Sequence, residues 1–118
     1  MYALATVEVD TVAVAVVDQL GRLIGKRLTL EAWEGVRAAG TLAMPDFHLI
    51  TDAANHPVAG LAASGVESGF RNGALVPDLG TWRLLAWDEG TALVISDPVT
   101  ADGEPAAESP RWVLRRQV

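Results

Sequence analysis

Two runs of β-type residues flank a short turn between Thr11 and Trp33, and this pattern constrains the fold more than any other stretch. The first run, residues 12–17, is apolar on both faces and alternates small with branched side chains, which is typical of a central strand. The turn at residues 18–22 begins with an aspartate that can bond its own downstream backbone, and Gly21 can adopt positive φ. In the second run, residues 28–32 alternate apolar with polar side chains. The stretch therefore predicts antiparallel sheet.

Similar short stretches recur along the chain, with roughly the 8–12-residue spacing of sandwiches and barrels. The other predicted strands are 5–9, 41–44, 47–51, 58–63, 73–76, 82–87, 91–96 and 112–114. The turns at 52–55 and 88–90 resemble the first turn in composition. Residues 77–80 are a further predicted turn, and residues 64–72 are a predicted loop. For residues 31–39, a short helix is the alternative to extended structure. The predicted fold is all-β: a single antiparallel β-sandwich of roughly seven to nine short strands.

The chain has the length of one ordinary domain, 118 residues. We assign residues 1–96 to the β-sandwich core. Residues 97–118 form an acidic, proline-containing loop and a basic C-terminal segment of the same single domain. This end of the chain is either a solvated loop and tail or a tail that docks on a partner.

Residues 16–25, followed by Leu28, Thr29 and Leu30, resemble the early strands of bacterial immunoglobulin-like domains of the invasin and intimin type. Residues 51–55 resemble the second turn of that family, and residues 80–84 resemble its late strand. The resemblance covers about residues 12–96. It implies an immunoglobulin-like sandwich that acts as a non-catalytic spacer, adhesion or assembly module, and such domains also decorate the capsids and tails of phages.

Charge and composition exclude several classes of function. A net charge of −6 argues against nucleic acid as the main partner, because phosphate binding needs a concentrated basic face. The absence of cysteine removes disulfides and thiol chemistry. No signal peptide or membrane-spanning segment is predicted, and the initial Met1 favours a complete protein over a piece of a longer array.

The sequence shows no catalytic motif, so we predict that the protein is not an enzyme and has no catalytic, cofactor or metal site. His48 and His56 could form a metal site with Asp46 or Asp52, but their spacing is unlike that of helical metal-binding pairs. Three acids of the C-terminal loop lack the spacing of a helix-loop-helix calcium site. Structural or solvated roles explain these residues better.

Tryptophan and arginine are favoured at protein interfaces, and this directs the prediction of a partner-binding surface. Trp82 and Trp87 lie on opposite faces of one strand, so one should be in the core and the other outside. The predicted partner-binding residues are Arg111, Trp112, Arg115 and Arg116.

The predicted function is that of a structural protein which binds protein subunits of a larger assembly, including further copies of itself. The most specific form of this hypothesis is a phage capsid-decoration or tail accessory protein located in the virion. It binds neither nucleic acid nor membrane. The alternative is a cell-surface adhesion or carbohydrate-binding module.

Overall fold

The structure, a computed structural model, describes residues 8–45, 51–54, 56 and 72–118. Within these residues the chain forms five strands and two helices. In chain order they are β1 (Thr11–Val17), β2 (Leu23–Thr29), α1 (Leu30–Ala39), β3 (Leu42–Pro45), β4 (Asn72–Leu84), β5 (Thr91–Val99) and α2 (Pro110–Gln117). The strands form one sheet in the order β2-β1-β5-β4-β3.

The sheet is mixed, so the predicted antiparallel immunoglobulin-like sandwich is wrong. β1 pairs antiparallel with β2 but parallel with β5, and β4 pairs antiparallel with both β3 and β5. The sheet curls into a half-barrel, and Lys26 Nζ on one edge strand donates to the Ala43 carbonyl oxygen on the other at 3.0 Å. The alternation of side chains predicts strands, but it does not tell the direction of a partner that lies far away in the sequence.

The core lies on the face of the sheet formed by the even-numbered residues of β1. Val12 and Val14 are fully buried there with Val94 of β5. Trp33 of α1 packs into the same cluster, and its ring lies 5.6 Å from that of Trp82, centroid to centroid. Residues 12–17 form the central strand that the sequence predicts, because alternate residues are buried on this face and β2 and β5 pair with the two edges.

Helix α1 replaces the end of the predicted second strand, and its sequence contains the signals that a helix needs. The Thr29 hydroxyl accepts a hydrogen bond from the Ala32 N–H at 3.1 Å and so caps the N-terminus. Gly40 ends the helix at φ +82°, with its N–H donating to the Val36 carbonyl. The prediction of alternating strand through residue 32 is therefore wrong, and the helix that was the alternative for residues 31–39 is confirmed.

The prediction of a last strand at 112–114 is also wrong, because these residues lie in helix α2. The Ser109 hydroxyl accepts from the Trp112 N–H at 3.4 Å, and Pro110 is the first helical residue. Proline is favoured at this position because its missing N–H and fixed φ suit the first turn. A serine followed by a proline was the signal for this helix.

The structure has turns at both places that the sequence predicts in the described sheet. The second is longer than predicted, because β4 ends at Leu84 and the prediction of strand for residues 85–87 is wrong. Gly21 and Gly90 have φ of +78° and +80°, as turns at 18–22 and 88–90 require. The predicted turn at 77–80 is instead an irregularity inside β4, whose pairing with β5 shifts between Asp78 and Arg83.

Several predictions lie wholly or largely outside the described residues: the strands at 5–9, 47–51 and 58–63 and the loop at 64–72. The division of the chain at residue 96 stays a prediction, and β5 continues past that position to Val99.

Candidate functional site

The carboxylate of Asp18 organises the turn between β1 and β2. Its Oδ1 accepts from the backbone N–H groups of Leu20 and Arg22 at 2.9 and 2.8 Å, and its Oδ2 accepts from Arg22 Nε at 2.8 Å. Asp18 is 2% exposed, so these bonds satisfy a charge that burial would otherwise make costly. The turn therefore fixes the direction of the Arg22 guanidinium.

Arg22 holds a second turn, here called the Asp52 turn (residues 51–54 and 56). Its Nη1 and Nη2 donate to the carbonyl oxygens of Ala53 and Asp52 at 3.1 and 3.2 Å. Within the turn, Asp52 Oδ1 accepts from the N–H groups of Ala54 and His56 at 2.8 and 2.9 Å. The side chains of Asp52 and His56 remain 51% and 78% exposed, so the turn presents an acid and an imidazole on a fixed backbone.

The hydrogen bonds around both acids favour their ionised forms. Burial alone would raise the pKa of Asp18, but the hydrogen bonds from Arg22 and Leu20 outweigh it and lower the pKa below its ordinary value. The hydrogen bond from the His56 N–H is the largest cause that lowers the pKa of Asp52. The Asp52 turn therefore carries an anionic carboxylate at neutral pH.

The opposite face of the sheet carries an open depression of about 220 Å³ beside Arg27. Small residues form its floor: Ala13, Ala15 and Gly25. Arg27 donates to the Thr91 hydroxyl at 2.9 Å and to Asp88 Oδ2 at 2.7 Å, and this side-chain bond is the largest cause that lowers the pKa of Asp88. The depression is shallow and mostly apolar, so it is a packing surface more than a chemical site.

The structure places the four predicted partner-binding residues on α2 but gives them different surroundings. Arg111 and Arg115 form ion pairs with Asp78 and Asp97 of the same chain. Trp112 is half-buried, and Arg116 is exposed. The partner-binding role of these residues stays a prediction.

Among the other sequence candidates, His48 lies outside the described residues and His56 is in the Asp52 turn. Within the part of the chain that the structure describes, no three His, Cys, Asp or Glu side chains lie close enough together to hold a metal ion. Nor does any described helix have the length and apolar character needed to span a membrane.

Turn chemistry in the sequence predicts the role of Asp18 but not that of Arg22. Arg22 acts through its contact with the Asp52 carbonyl, which lies 30 positions away in the sequence. Turn chemistry depends on neighbouring residues only, so it does not predict this contact. An aspartate and an arginine at the two ends of one glycine turn were the available hint.

Comparison with known proteins gives this fold a context. The chain is 38% identical over 112 residues to γ-glutamylethanolamide synthetase GlnA4 of Streptomyces coelicolor. The matched region covers 94% of this chain and 24% of that protein. It is also 36% identical over 110 residues to glutamate–isopropylamine ligase of a Pseudomonas species. That match covers 93% of this chain and 24% of the ligase. The chain thus spans about a quarter of the length of these relatives. No protein-family model matches it.

A solved structure, described as a GmaS/ADP complex, shows the same fold. It superposes with a TM-score of 0.69 at 16% identity and covers 96% of this chain and 23% of that chain. A mixed half-barrel of this kind is therefore an established architecture and not an irregular sandwich.

These findings correct the predicted identity and function. The relatives are named as synthetases and ligases, so the invasin-type resemblance is wrong, and so are the phage structural role, the adhesion or carbohydrate-binding alternative and the prediction of a non-enzyme. The resemblance rested on Asp-x-x-Gly turns, which any β-hairpin can use. The absence of a catalytic motif in this stretch misled the prediction, because the stretch corresponds to only part of each relative.

Proposed function

We propose that this chain is the N-terminal domain of a glutamine synthetase-type ligase that joins the γ-carboxyl group of glutamate to an amine. The observation that supports this most strongly is the 38% identity to γ-glutamylethanolamide synthetase across 94% of the chain. The match to glutamate–isopropylamine ligase supports the same chemistry with a different amine. The virion location belonged to the phage hypothesis and does not fit these relatives.

The chemistry of such a ligase sets what the protein must provide. A carboxylate is a poor acceptor for an amine, so amide formation requires activation of the γ-carboxyl, and a ligase couples this to cleavage of a nucleoside triphosphate. The ADP named with the solved structure of the same fold is consistent with that coupling. The enzyme must hold an anion-rich substrate and an amine together in a site from which water is excluded.

The described residues fit a supporting domain of such an enzyme. The buried Asp18 holds Arg22, and Arg22 holds the Asp52 turn by two backbone carbonyls. A catalytic assembly needs polar groups fixed in position by their neighbours, and this chain of contacts fixes the Asp52 carboxylate.

The test is an activity assay of the complete enzyme that contains this chain. Release of ADP is measured with glutamate and with ethanolamine, isopropylamine, aniline or ammonia in turn, and the product is identified by mass spectrometry. We expect ADP release that requires both glutamate and an amine, with a γ-glutamyl amide as product. Release of ADP that is independent of glutamate, or no turnover with any of these amines, would contradict the proposal.

A further inference from the structure

Two arginines of α2 share two acids of the sheet. Arg111 and Arg115 lie one helical turn apart on the same face, and each reaches both Asp78 on β4 and Asp97 on β5. The guanidinium nitrogens of Arg111 lie 2.9 Å from the Asp78 carboxylate and 3.2 Å from that of Asp97, and those of Arg115 lie 3.7 and 3.1 Å from the same two groups. We call these four residues the ionic clamp.

The irregularity in β4 holds one acid of the clamp in place. The Thr81 hydroxyl accepts from the Ile95 N–H at 2.8 Å and donates to the Asp78 carbonyl oxygen at 2.7 Å, so it spans the interruption in the pairing of β4 with β5. The Gly80 N–H donates to Asp78 Oδ1 at 3.1 Å, and Asp78 Oδ2 accepts from Arg111 at 2.9 Å. Interruptions of this kind redirect a side chain, and the side chain held here is one that meets α2.

The first turn of α2 is fixed by the chain that precedes it and by partial burial. Ala106 belongs to a core cluster, and its N–H donates to the Pro98 carbonyl at 3.0 Å. Ser109 is 2% exposed and caps the helix. Trp112 is half-buried, so its large side chain adds apolar burial to the charged contacts. These contacts fix where α2 begins, but all of them lie at its N-terminal end.

The direction of the helix needs a second fixed point, and Arg115 provides it. Residues 113–117 are exposed, and Arg115 is the member of this range whose side chain forms ion pairs with the described part of the sheet. A helix held at two places one turn, about 5.4 Å, apart along its axis cannot tilt freely. A single exposed ion pair contributes little to stability, so the clamp is better suited to fixing an angle than to holding the domain together.

We propose that the ionic clamp sets the direction in which the chain leaves this domain, and thereby the orientation of the sheet relative to the rest of the enzyme. This inference rests on the proposed function, in which the remaining part of the ligase follows α2. A change in the tilt of α2 displaces whatever follows residue 117, and the displacement grows with distance from the clamp. Arg115 and Asp97 are therefore positioning residues, which act on the reaction through the placement of the domain.

The first test measures the direction of α2 in the complete enzyme that contains this chain. The 118 residues include no cysteine, so spin labels can be attached at Ala38→Cys on α1 and Gln117→Cys on α2 once cysteines elsewhere in the enzyme are replaced. Both positions are exposed. Double electron–electron resonance on labelled enzyme diluted with unlabelled enzyme gives the distance between the labels. We expect one narrow distance distribution with the clamp intact and a wider, shifted distribution in Arg115→Gln.

Arg116→Gln is the matched control for this measurement. It removes the same charge from the adjacent residue, which is exposed and forms no ion pair with the described residues. We expect its distance distribution to equal that of the enzyme with the intact clamp. A distribution that Arg115→Gln leaves unchanged, or that both variants widen equally, would overturn the proposal.

The second test asks whether the direction of α2 matters for the reaction. Asp97→Asn removes one acid of the clamp, and Asp88→Asn removes one acid from the ion pair with Arg27. We expect kcat/KM for γ-glutamyl amide formation to fall at least about tenfold in Asp97→Asn, because misplaced reacting groups are costly, and to stay unchanged in Asp88→Asn. Equal kcat/KM values, or a loss in Asp97→Asn that only follows a loss of folded enzyme, would contradict a positioning role. If the unaltered enzyme forms no γ-glutamyl amide, the proposed function fails and the distance measurement decides the role of the clamp.

Discussion

At the residue scale, single side chains decide how closely the backbone of this sheet can pack. Gly25 is the clearest case: a Cβ at this position on β2 would lie 1.9 Å from the Val14 carbonyl oxygen of β1. The two strands could not keep their present separation with any larger residue. Gly35, by contrast, lies inside α1, and a Cβ added there would meet no neighbouring atom within 4 Å among the described residues.

These two glycines give opposite predictions for the same substitution. Gly25→Ala should destabilise the fold by about 1–3 kcal/mol, since the added methyl group collides with backbone. Gly35→Ala should stabilise it by up to about 1 kcal/mol, because alanine is the better helix former and the space is open. Urea unfolding followed by tryptophan fluorescence measures both. Equal stability of the two variants would show that β1 and β2 are not as closely packed as described.

At the element scale, α1 depends on its caps because only part of its surface is buried. Trp33 is its buried side chain, and the Thr29 hydroxyl satisfies an N–H at the start of the helix that would otherwise lack a partner. Removal of an N-terminal cap from a helix lowers the free energy of unfolding of the protein by a measurable amount.

We expect Thr29→Ala to lower the free energy of unfolding by about 1 kcal/mol. The matched control is Thr41→Ala, since Thr41 is exposed just after the helix and lies outside it. Chemical unfolding monitored by far-UV circular dichroism compares the two. A Thr41→Ala variant that loses as much stability as Thr29→Ala would argue against a capping role.

The sequence predicts the features of this fold that depend on neighbouring residues, but it does not predict contacts between residues far apart in the chain. The strand at 12–17, the turn at Asp18 and the turn before Thr91 follow from neighbouring residues, and the structure confirms them. The parallel pairing of β1 with β5 joins positions such as Thr11 and Thr91, which are 80 apart, and no local pattern encodes it. Arg22 was missed for the same reason, whereas both helices had capping signals that strand alternation obscured.

At the scale of the whole molecule, several carboxylates make stability depend on pH in one direction. The pKa values of Asp18, Asp52, Asp78 and Asp88 are all lowered by hydrogen bonds in the folded state. A group with a lowered pKa binds fewer protons when folded than when unfolded. Its stabilising effect is thus complete above the unfolded pKa of about 3.9 and is lost as the pH falls through the folded value.

The protein should therefore lose stability steadily as the pH falls below about 4. Asp18→Asn should cost about 2 kcal/mol at pH 7, because it removes charged hydrogen bonds from a buried group. The free energy of unfolding of the Asp18→Asn variant should change less than that of the unaltered chain between about pH 6 and pH 3. Thermal unfolding across this range measures both, and parallel pH profiles would exclude Asp18 as a contributor.

The place of β5 beside β1 has a consequence for how the protein is made. The two strands pair in register from Thr11 with Thr91 to Ala15 with Ile95, so one edge of β1 has no partner until the ribosome has released the later strand. Pairing between such distant segments is slow to form, and exposed strand edges invite contacts with other chains in the meantime. A nascent chain that stalls before β5 emerges would leave the apolar β1 open to aggregation.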